Sequence, residues 1–327
     1  MSLAMTRRRY FLSSIALPVL AIMSSVSASS AAPILKLVKV ARPSATGFEF
    51  SFLEIGEAKG IFAKNGIKIQ IFDLPGSKDQ QALAAGDVDI VLGAGPELAL
   101  IAKGSPVKAV AAMAGAPLNM GLIVRAHSTL RPKEFKGRTI GVTATHSLTD
   151  WLAMEFSKQQ GWGEHGIRRV ALGSPDGMIA ALRAKNVDGI VASTETGYRL
   201  QERGQAKVLL SFGSRIHDFL THIIFANDAF MKKSPDALRG FLKAWFETVD
   251  FIKQHKGEAI KISRKTTKLS QAMADRIYDE QMPMYYVDGH FPKKNLQGMK
   301  QALLDMGAFV KAPPDGKLID ERFLPAK

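Results

Sequence analysis

The stretch ALAAGDVDIVLGAG, residues 82–95, returns as ALRAKNVDGIVAST at residues 181–194, and the two align without gaps on Ala, Leu, Ala, Val and Asp. In each copy Ala-Leu closes an apolar-periodic segment, a polar turn follows, Val-Asp heads an apolar run, and small residues end it. The pattern predicts helix, turn, strand and loop, twice. Small residues just past the C-terminal end of a strand lie where open α/β sheets hold ligands. Two such edges in one chain predict two similar α/β units facing one cleft.

Working outward from the first copy, residues 35–41 read as a strand, 42–47 as a loop, and 48–62 as an amphipathic helix stopped at Lys64-Asn65-Gly66. Residues 67–72 read as a strand, 77–85 as a helix, 89–92 as a strand, and 96–103 as a helix begun by Pro-Glu. Strands are predicted at 107–113 and 122–124. The order then restarts: strand 138–142, polar loop 143–147, helix 148–160, strand 167–171, helix 175–184, strand 189–192. Two more strands follow at 208–212 and 221–225, then helices at 236–255, 257–264, 270–282 and 293–306 and an extended tail.

Repeated strand-helix alternation predicts an α/β fold: two similar three-layer α/β domains with parallel sheets and right-handed crossovers, joined by a two-strand hinge, with a helical C-terminal part. The second unit, residues 126–222, reads as an insertion into the first, residues 33–125 and 223–327. The hinge pair is expected near residues 122–125 and 223–227.

At 327 residues the chain is long enough for two domains with separate cores, and its 46% apolar and 23% charged residues are those of an ordinary globular protein. It contains no cysteine, which excludes thiol nucleophiles, disulfides and Cys-based metal sites. Arg7-Arg8-Arg9-Tyr10-Phe11-Leu12, an apolar run over residues 15–23 and a Ser/Ala-rich segment have the order of an export signal over residues 1–32. The Arg8-Arg9-Tyr10-Phe11-Leu12 stretch is similar to the core of a twin-arginine signal. A membrane anchor is the competing reading, but the run is short and Pro18 interrupts it. The net charge of +14 favours anionic small molecules or an anionic surface. Nucleic acid is disfavoured, since the basic residues are scattered without interleaved aromatics.

Five segments carry a family resemblance: Glu57-Ala58-Lys59-Gly60-Ile61-Phe62 with Asn65-Gly66-Ile67; Ala82 to Ile90; Lys103-Gly104-Ser105-Pro106-Val107-Lys108; Glu134 to Val142; and Ala181-Leu182 through Val187-Asp188-Gly189. In that order, behind an export signal, the chain resembles the substrate-binding components of bacterial ABC importers. The branch is the one serving nitrate, alkanesulfonate, taurine and thiamine-precursor uptake, with the type II periplasmic-binding-protein fold. The resemblance implies a periplasmic monomer that binds a small molecule, carries no cofactor or metal, and partners an ABC permease in the inner membrane.

Four loops are placed to hold such a ligand. The first carries Arg42, Ser44 and Thr46, and the second Gly93, Ala94, Gly95 and Glu97, where small residues would let helix-start N–H groups approach. The third carries Thr143, Thr145, His146 and Ser147 ahead of a helix. Hydroxyls at a helix N-terminus make an anion site, although Ser147 with Asp150 reads equally as a capping box. The fourth carries Ser193, Thr194 and Glu195, the first two placed by the resemblance alone. Arg42 with the third loop suits a sulfonate or nitrate, whereas inward Glu97 or Glu195 suits an amine, amide or aminopyrimidine. Where taurine binders of the family carry an aromatic residue, this chain has Ala192-Ser193-Thr194. Phe48 and Phe219 are candidate walls, or core. Catalysis is the rival class, since related folds include enzymes; against it stand the export signal and the lack of any ordered nucleophile–base pattern.

Overall fold

The computed structural model describes residues 35–75 and 77–326; the expected export signal lies outside them. The first pass of the chain runs β1 (Lys36–Arg42), α1 (Phe52–Ala58), α2 (Ile61–Lys64), β2 (Ile67–Asp73), α3 (Lys78–Ala85), β3 (Ile90–Ala94), α4 (Leu98–Ala102) and β4 (Val107–Ala114). The second runs β5 (Met120–Arg125), β6 (Thr139–Val142), α5 (Leu148–Gln159), β7 (Arg168–Ala171), α6 (Pro175–Arg183), β8 (Gly189–Ser193), α7 (Thr194–Glu202) and β9 (Ala206–Ser211). The chain then returns through β10 (His222–Asn227) into helices α8 (Asp228–Lys233), α9 (Pro235–Gln254), α10 (Lys256–Thr267), α11 (Gln271–Gln281), α12 (Lys293–Asp305) and α13 (Asp315–Leu318).

Two five-stranded sheets result, ordered β2-β1-β3-β10-β4 and β7-β6-β8-β5-β9. Each sheet with the helices against it is called a lobe below. The expected parallel sheets are mixed: β10 runs antiparallel between β3 and β4, and β5 antiparallel between β8 and β9. The expected hinge positions also move. Residues 122–125 lie inside β5 in the second sheet and residues 223–227 inside β10 in the first. The chain therefore crosses between sheets at residues 115–119 and returns at residues 212–221. The reason is that each antiparallel strand is the one adjoining a crossing, a pairing that hydrophobic pattern cannot assign.

The repeat has a physical basis. The Asp of each copy staples its strand to the neighbouring parallel strand: Asp89 Oδ2 accepts from Lys39 N at 2.8 Å and Asp188 Oδ2 from Thr139 N at 3.0 Å. The same two residues donate their N–H groups to Lys39 O and Thr139 O. The Val beside each Asp is buried. The turn before them requires a left-handed residue, supplied by Gly86 at φ 82° in one copy and by Lys185 at φ 63° in the other.

The main core of the first lobe gathers Val38, Val40 and Ile90 from its sheet with Phe241, Leu242 and Trp245 from α9. α9 shows apolar residues at helical spacing over its whole length, which is why it buries a full face. Trp245 and Phe52 are fully buried, and each contributes about 2–3 kcal/mol by leaving water. The tail covers the exposed edge of β4, where Asp320 N donates to Ala109 O and Ile319 bridges Ala109. That pairing closes an edge that would otherwise be free to recruit another strand.

Candidate functional site

The two lobes meet where the loop after β1 faces the start of α7. Ser193 is the N-cap of α7, its hydroxyl accepting from Thr196 N at 3.2 Å. That cap points Thr194 and Glu195 at the opposite lobe, where both are buried. Glu195 Oε1 accepts from Phe48 N at 2.9 Å, a bond from one lobe to the other. Thr194 N donates to Asn119 O at 2.8 Å on the first crossing, and Gln281 Nε2 from α11 donates to Thr194 Oγ1 at 3.3 Å.

Next to Phe48, Glu49 is also buried. Asn119 Nδ2 donates to Glu49 Oε1 at 3.2 Å and to His222 Nε2 at 3.0 Å. Tyr285 OH donates to Gln281 Oε1 at 3.4 Å. Burial, then the charge of Glu195, pushes Glu49 up to about 8. Burial pushes Glu195 up to about 7, against the pull of Phe48 N and of Arg199. Burial drives His222 down to about 4, so its ring is neutral and its Nε2 accepts. Two oxygens in the cluster, Glu49 Oε2 and Asn119 Oδ1, are buried without a hydrogen-bond partner. The arrangement presents amide oxygens able to accept from a ligand donor, and two carboxyls raised toward neutrality that can share a proton with it.

Glu195, whose direction the sequence left open, and Thr194 reach the seam, and the other candidate residues make other contacts. Arg42 is buried beneath it with its guanidinium fully committed: Nε to Asp73 Oδ1 at 2.7 Å, Nη2 to Glu54 Oε1 at 2.7 Å, and Nη1 to Phe50 O at 3.0 Å. Ser44 and Thr46 bond each other at 3.1 Å in the surface turn before Phe48. Gly93 and Gly95 are small for packing reasons: a Cβ on Gly93 would meet Glu97 Oε2 at 2.0 Å, and one on Gly95 would meet Leu220 O at 2.0 Å. Ala94 is the residue between them at the end of β3. Glu97 folds back to accept from Gln80 Nε2, and burial together with the charge of Asp79 raises it well above the carboxylate range.

The third loop is a helix cap. Ser147 accepts from Asp150 N, and the hydroxyls of Thr143, Ser147 and Thr149 bond one another at 2.9–3.0 Å. Asp150 reaches back to His146 N at 2.9 Å and pairs with Arg169 at 2.8 Å. Thr145 and His146 are exposed, with His146 at φ 63°. Phe48 and Phe219 are core; Phe219 stacks on Trp151 with ring centres 4.3 Å apart, joining the return crossing to α5.

Glu49, Asn119, His222, Gln281 and Tyr285 escaped the reading of the sequence. One signal was available: Asn119 is the single strongly polar residue between Val107-Lys108 and Arg125, Glu49 sits between two phenylalanines, and His222 heads the apolar run Ile223-Ile224-Phe225. A polar residue set alone in an apolar run must find a buried partner.

The fold has many solved counterparts. A protein of Bordetella bronchiseptica RB50 shares 25% identity at a TM-score of 0.72, over 88% of this chain and 95% of that one. The alkanesulfonate-binding protein SsuA from Xanthomonas axonopodis pv. citri, bound to MOPS, shares 18% at 0.70, over 88% and 96%. The periplasmic nitrate-binding protein NrtA from Synechocystis PCC 6803 shares 16% at 0.73, over 90% and 88%. None of the curated proteins matches in sequence. The family model described as NMT1/THI5 like matches residues 48–259, and with its two mixed sheets in the periplasmic-binding-protein arrangement the chain belongs to the NMT1/THI5-like family.

Proposed function

We propose that this chain is an exported solute-binding protein that closes its two lobes on a small molecule and delivers it to an ABC permease, the crossings at residues 115–119 and 212–221 forming the hinge. The observation that carries the reading is the Glu195–Phe48 bond across the seam, flanked by the buried Glu49 and Asn119 oxygens. A clamp needs polar groups from both lobes converging on one point.

Those groups are mainly acceptors, carboxyl and amide oxygens, with the His222 Nδ1 hydrogen the one ring donor beside them. The ligand they favour carries N–H donors: an amine, an amidine or an aminopyrimidine. A carboxyl titrating near neutrality can give its proton to a ring nitrogen while accepting from the adjacent amino group. A sulfonate or nitrate held by Arg42 and the third loop is less favoured by the contacts, since Arg42 is held by Glu54 and Asp73 and the α5 hydroxyls bond one another, although SsuA and NrtA, whose fold this chain shares, are named for such ligands. Capture is favoured over catalysis because the His222 Nε2 is taken up by Asn119 and, among the described residues, no hydroxyl nucleophile is hydrogen-bonded to the ring.

A thermal-shift series on the protein tests this. At a hundred times its dissociation constant a ligand adds about 2.7 kcal/mol, worth roughly 4–5 °C in a protein of this length. A shift with aminopyrimidines or primary amines that vanishes in Glu195→Gln is expected. A shift with alkanesulfonates alone, retained in that variant, overturns the ligand class.

A further inference from the structure

A cavity of about 460 Å³ opens at the outer edge of the same seam, lined by Thr46 from the first lobe and by Asp176, Arg183, Thr196, Arg199 and Arg203 from α6, α7 and the turn after α7. Its volume is in the range that holds a small ligand. Arg199 lies on α7, Arg203 is the C-cap four residues on, and Arg183 closes the last turn of α6, so the fold concentrates three guanidiniums around one hollow. Elsewhere in the described residues Arg125, Arg168, Arg239 and Arg264, spread singly over the surface, bond neutral oxygens, while Arg42, Arg131, Arg169, Arg276 and Arg322 each sit against a carboxylate within 3.2 Å.

The three cavity arginines take no such partner among the described residues. Arg183 Nη2 donates to Gln205 Oε1 at 2.6 Å and Arg199 Nη1 to Thr267 O at 3.0 Å, both neutral acceptors. The one acid of the lining, Asp176, makes no ion pair with them and sits in the first turn of α6, where the helix dipole already favours it. Three like charges held together repel, and a planar fork that lacks a carboxylate is matched by the oxygens of an anion. Thr46 and Thr196 add hydroxyls from the two sides of the seam.

We propose that this cavity is a binding site for one oxyanion group, a carboxylate, sulfonate or phosphate, gripped by Arg183, Arg199 and Arg203 with Thr46 closing over it from the other lobe. The site shares the seam with the ligand reading above but does not require it. The oxyanion is either a free ion or the far end of a ligand whose amino end reaches Glu195, which lies one turn before Arg199.

Calorimetric titration of the chain with inorganic sulfate and phosphate at fixed ionic strength tests the site. Saturable binding at one site is expected, weakened about tenfold in Arg203→Gln and in Arg183→Gln, since each removes a charge-assisted contact. Both residues are exposed and leave the core intact when changed. Lys133→Gln, on the exposed turn before β6, removes one positive charge elsewhere and is expected to change nothing. No saturable binding, or equal weakening in Lys133→Gln, overturns the proposal. Glu195→Gln separates the two readings: it abolishes amine capture and leaves sulfate binding in place. An aminoalkyl phosphate that binds more tightly than inorganic phosphate in an Arg203-dependent way assigns the oxyanion to the ligand itself, and equal affinity assigns it to a free ion.

Discussion

Gly86 and Lys185 occupy the same place in the two copies of the repeat and take the same left-handed backbone, which only glycine adopts without cost. Ala at position 86 is therefore expected to lower stability by about 1 kcal/mol, while Lys185→Gly is expected to raise it by a few tenths to about 1 kcal/mol, the relief of strain partly offset by a freer unfolded chain. Denaturant unfolding of the two variants measures both, and a loss of stability in Lys185→Gly would contradict the argument. The repeat's Asp residues are of a different kind. Asp89 and Asp188 each take a strand N–H and return one, so an Asn there keeps the geometry and loses the charge-assisted bond. These residues were legible in the sequence because the same local geometry was needed twice. Glu49 and Asn119 were not, because their partners come from distant parts of the chain: Glu49 finds Asn119 seventy positions on, and Asn119 finds His222 on the return strand.

Helix α5 is where two readings of one element separate. Its N-terminus carries the hydroxyl cluster once expected to hold an anion, and the structure uses those hydroxyls to cap the helix. Ser147→Ala should cost about 1 kcal/mol of stability, the usual value of a lost N-cap, and leave the affinity for any seam ligand unchanged. A ligand-binding loss without a stability loss would restore the anion reading of this loop. The elements themselves were largely readable, since an amphipathic helix such as α9 announces its period and a short, wholly apolar run such as β3 is bounded by turn residues. Sheet partners were not. β5 and β10 are short apolar runs that pattern alone places in either sheet, and their antiparallel pairing with β8 and β3 is decided by how the crossings are routed. The C-terminal helices were expected, but not that they clasp the second lobe: Tyr198 OH bonds Glu280 at 2.6 Å, and Lys158 pairs with Asp305 at 2.8 Å.

For the whole molecule the buried seam ties stability to pH. Folding holds Glu49 near 8 and Glu195 near 7, above the ordinary carboxylate value of 4.5, so between those limits the folded chain keeps protons that the unfolded chain has released. Stability therefore falls as pH rises, by at most about 1.4 kcal/mol per pH unit for each carboxyl still protonated. His222, held near 4, acts oppositely between 4 and its ordinary 6.5, while Asp79, raised to about 6, adds to the decline below that value. From pH 6.5 to 8 the two seam carboxyls, and Glu97 raised by burial and by Asp79, lower stability without that opposition, Arg199 drawing only Glu195 downward. Thermal unfolding across that range should show a falling midpoint whose slope Glu49→Gln makes shallower, the rest of the decline staying with Glu195 and Glu97; an unchanged slope in that variant would refute the assignment. The routing of the strands reaches beyond the finished molecule to its making. β3 and β4 emerge early, yet the strand that lies between them, β10, is more than a hundred residues away, whereas every strand of the second sheet lies within one unbroken stretch from Met120 to Ser211. A chain appearing from its N-terminus thus has to leave its first sheet gapped until the second has had every chance to form, which makes the inserted lobe the natural nucleus and the seam the last surface to be assembled.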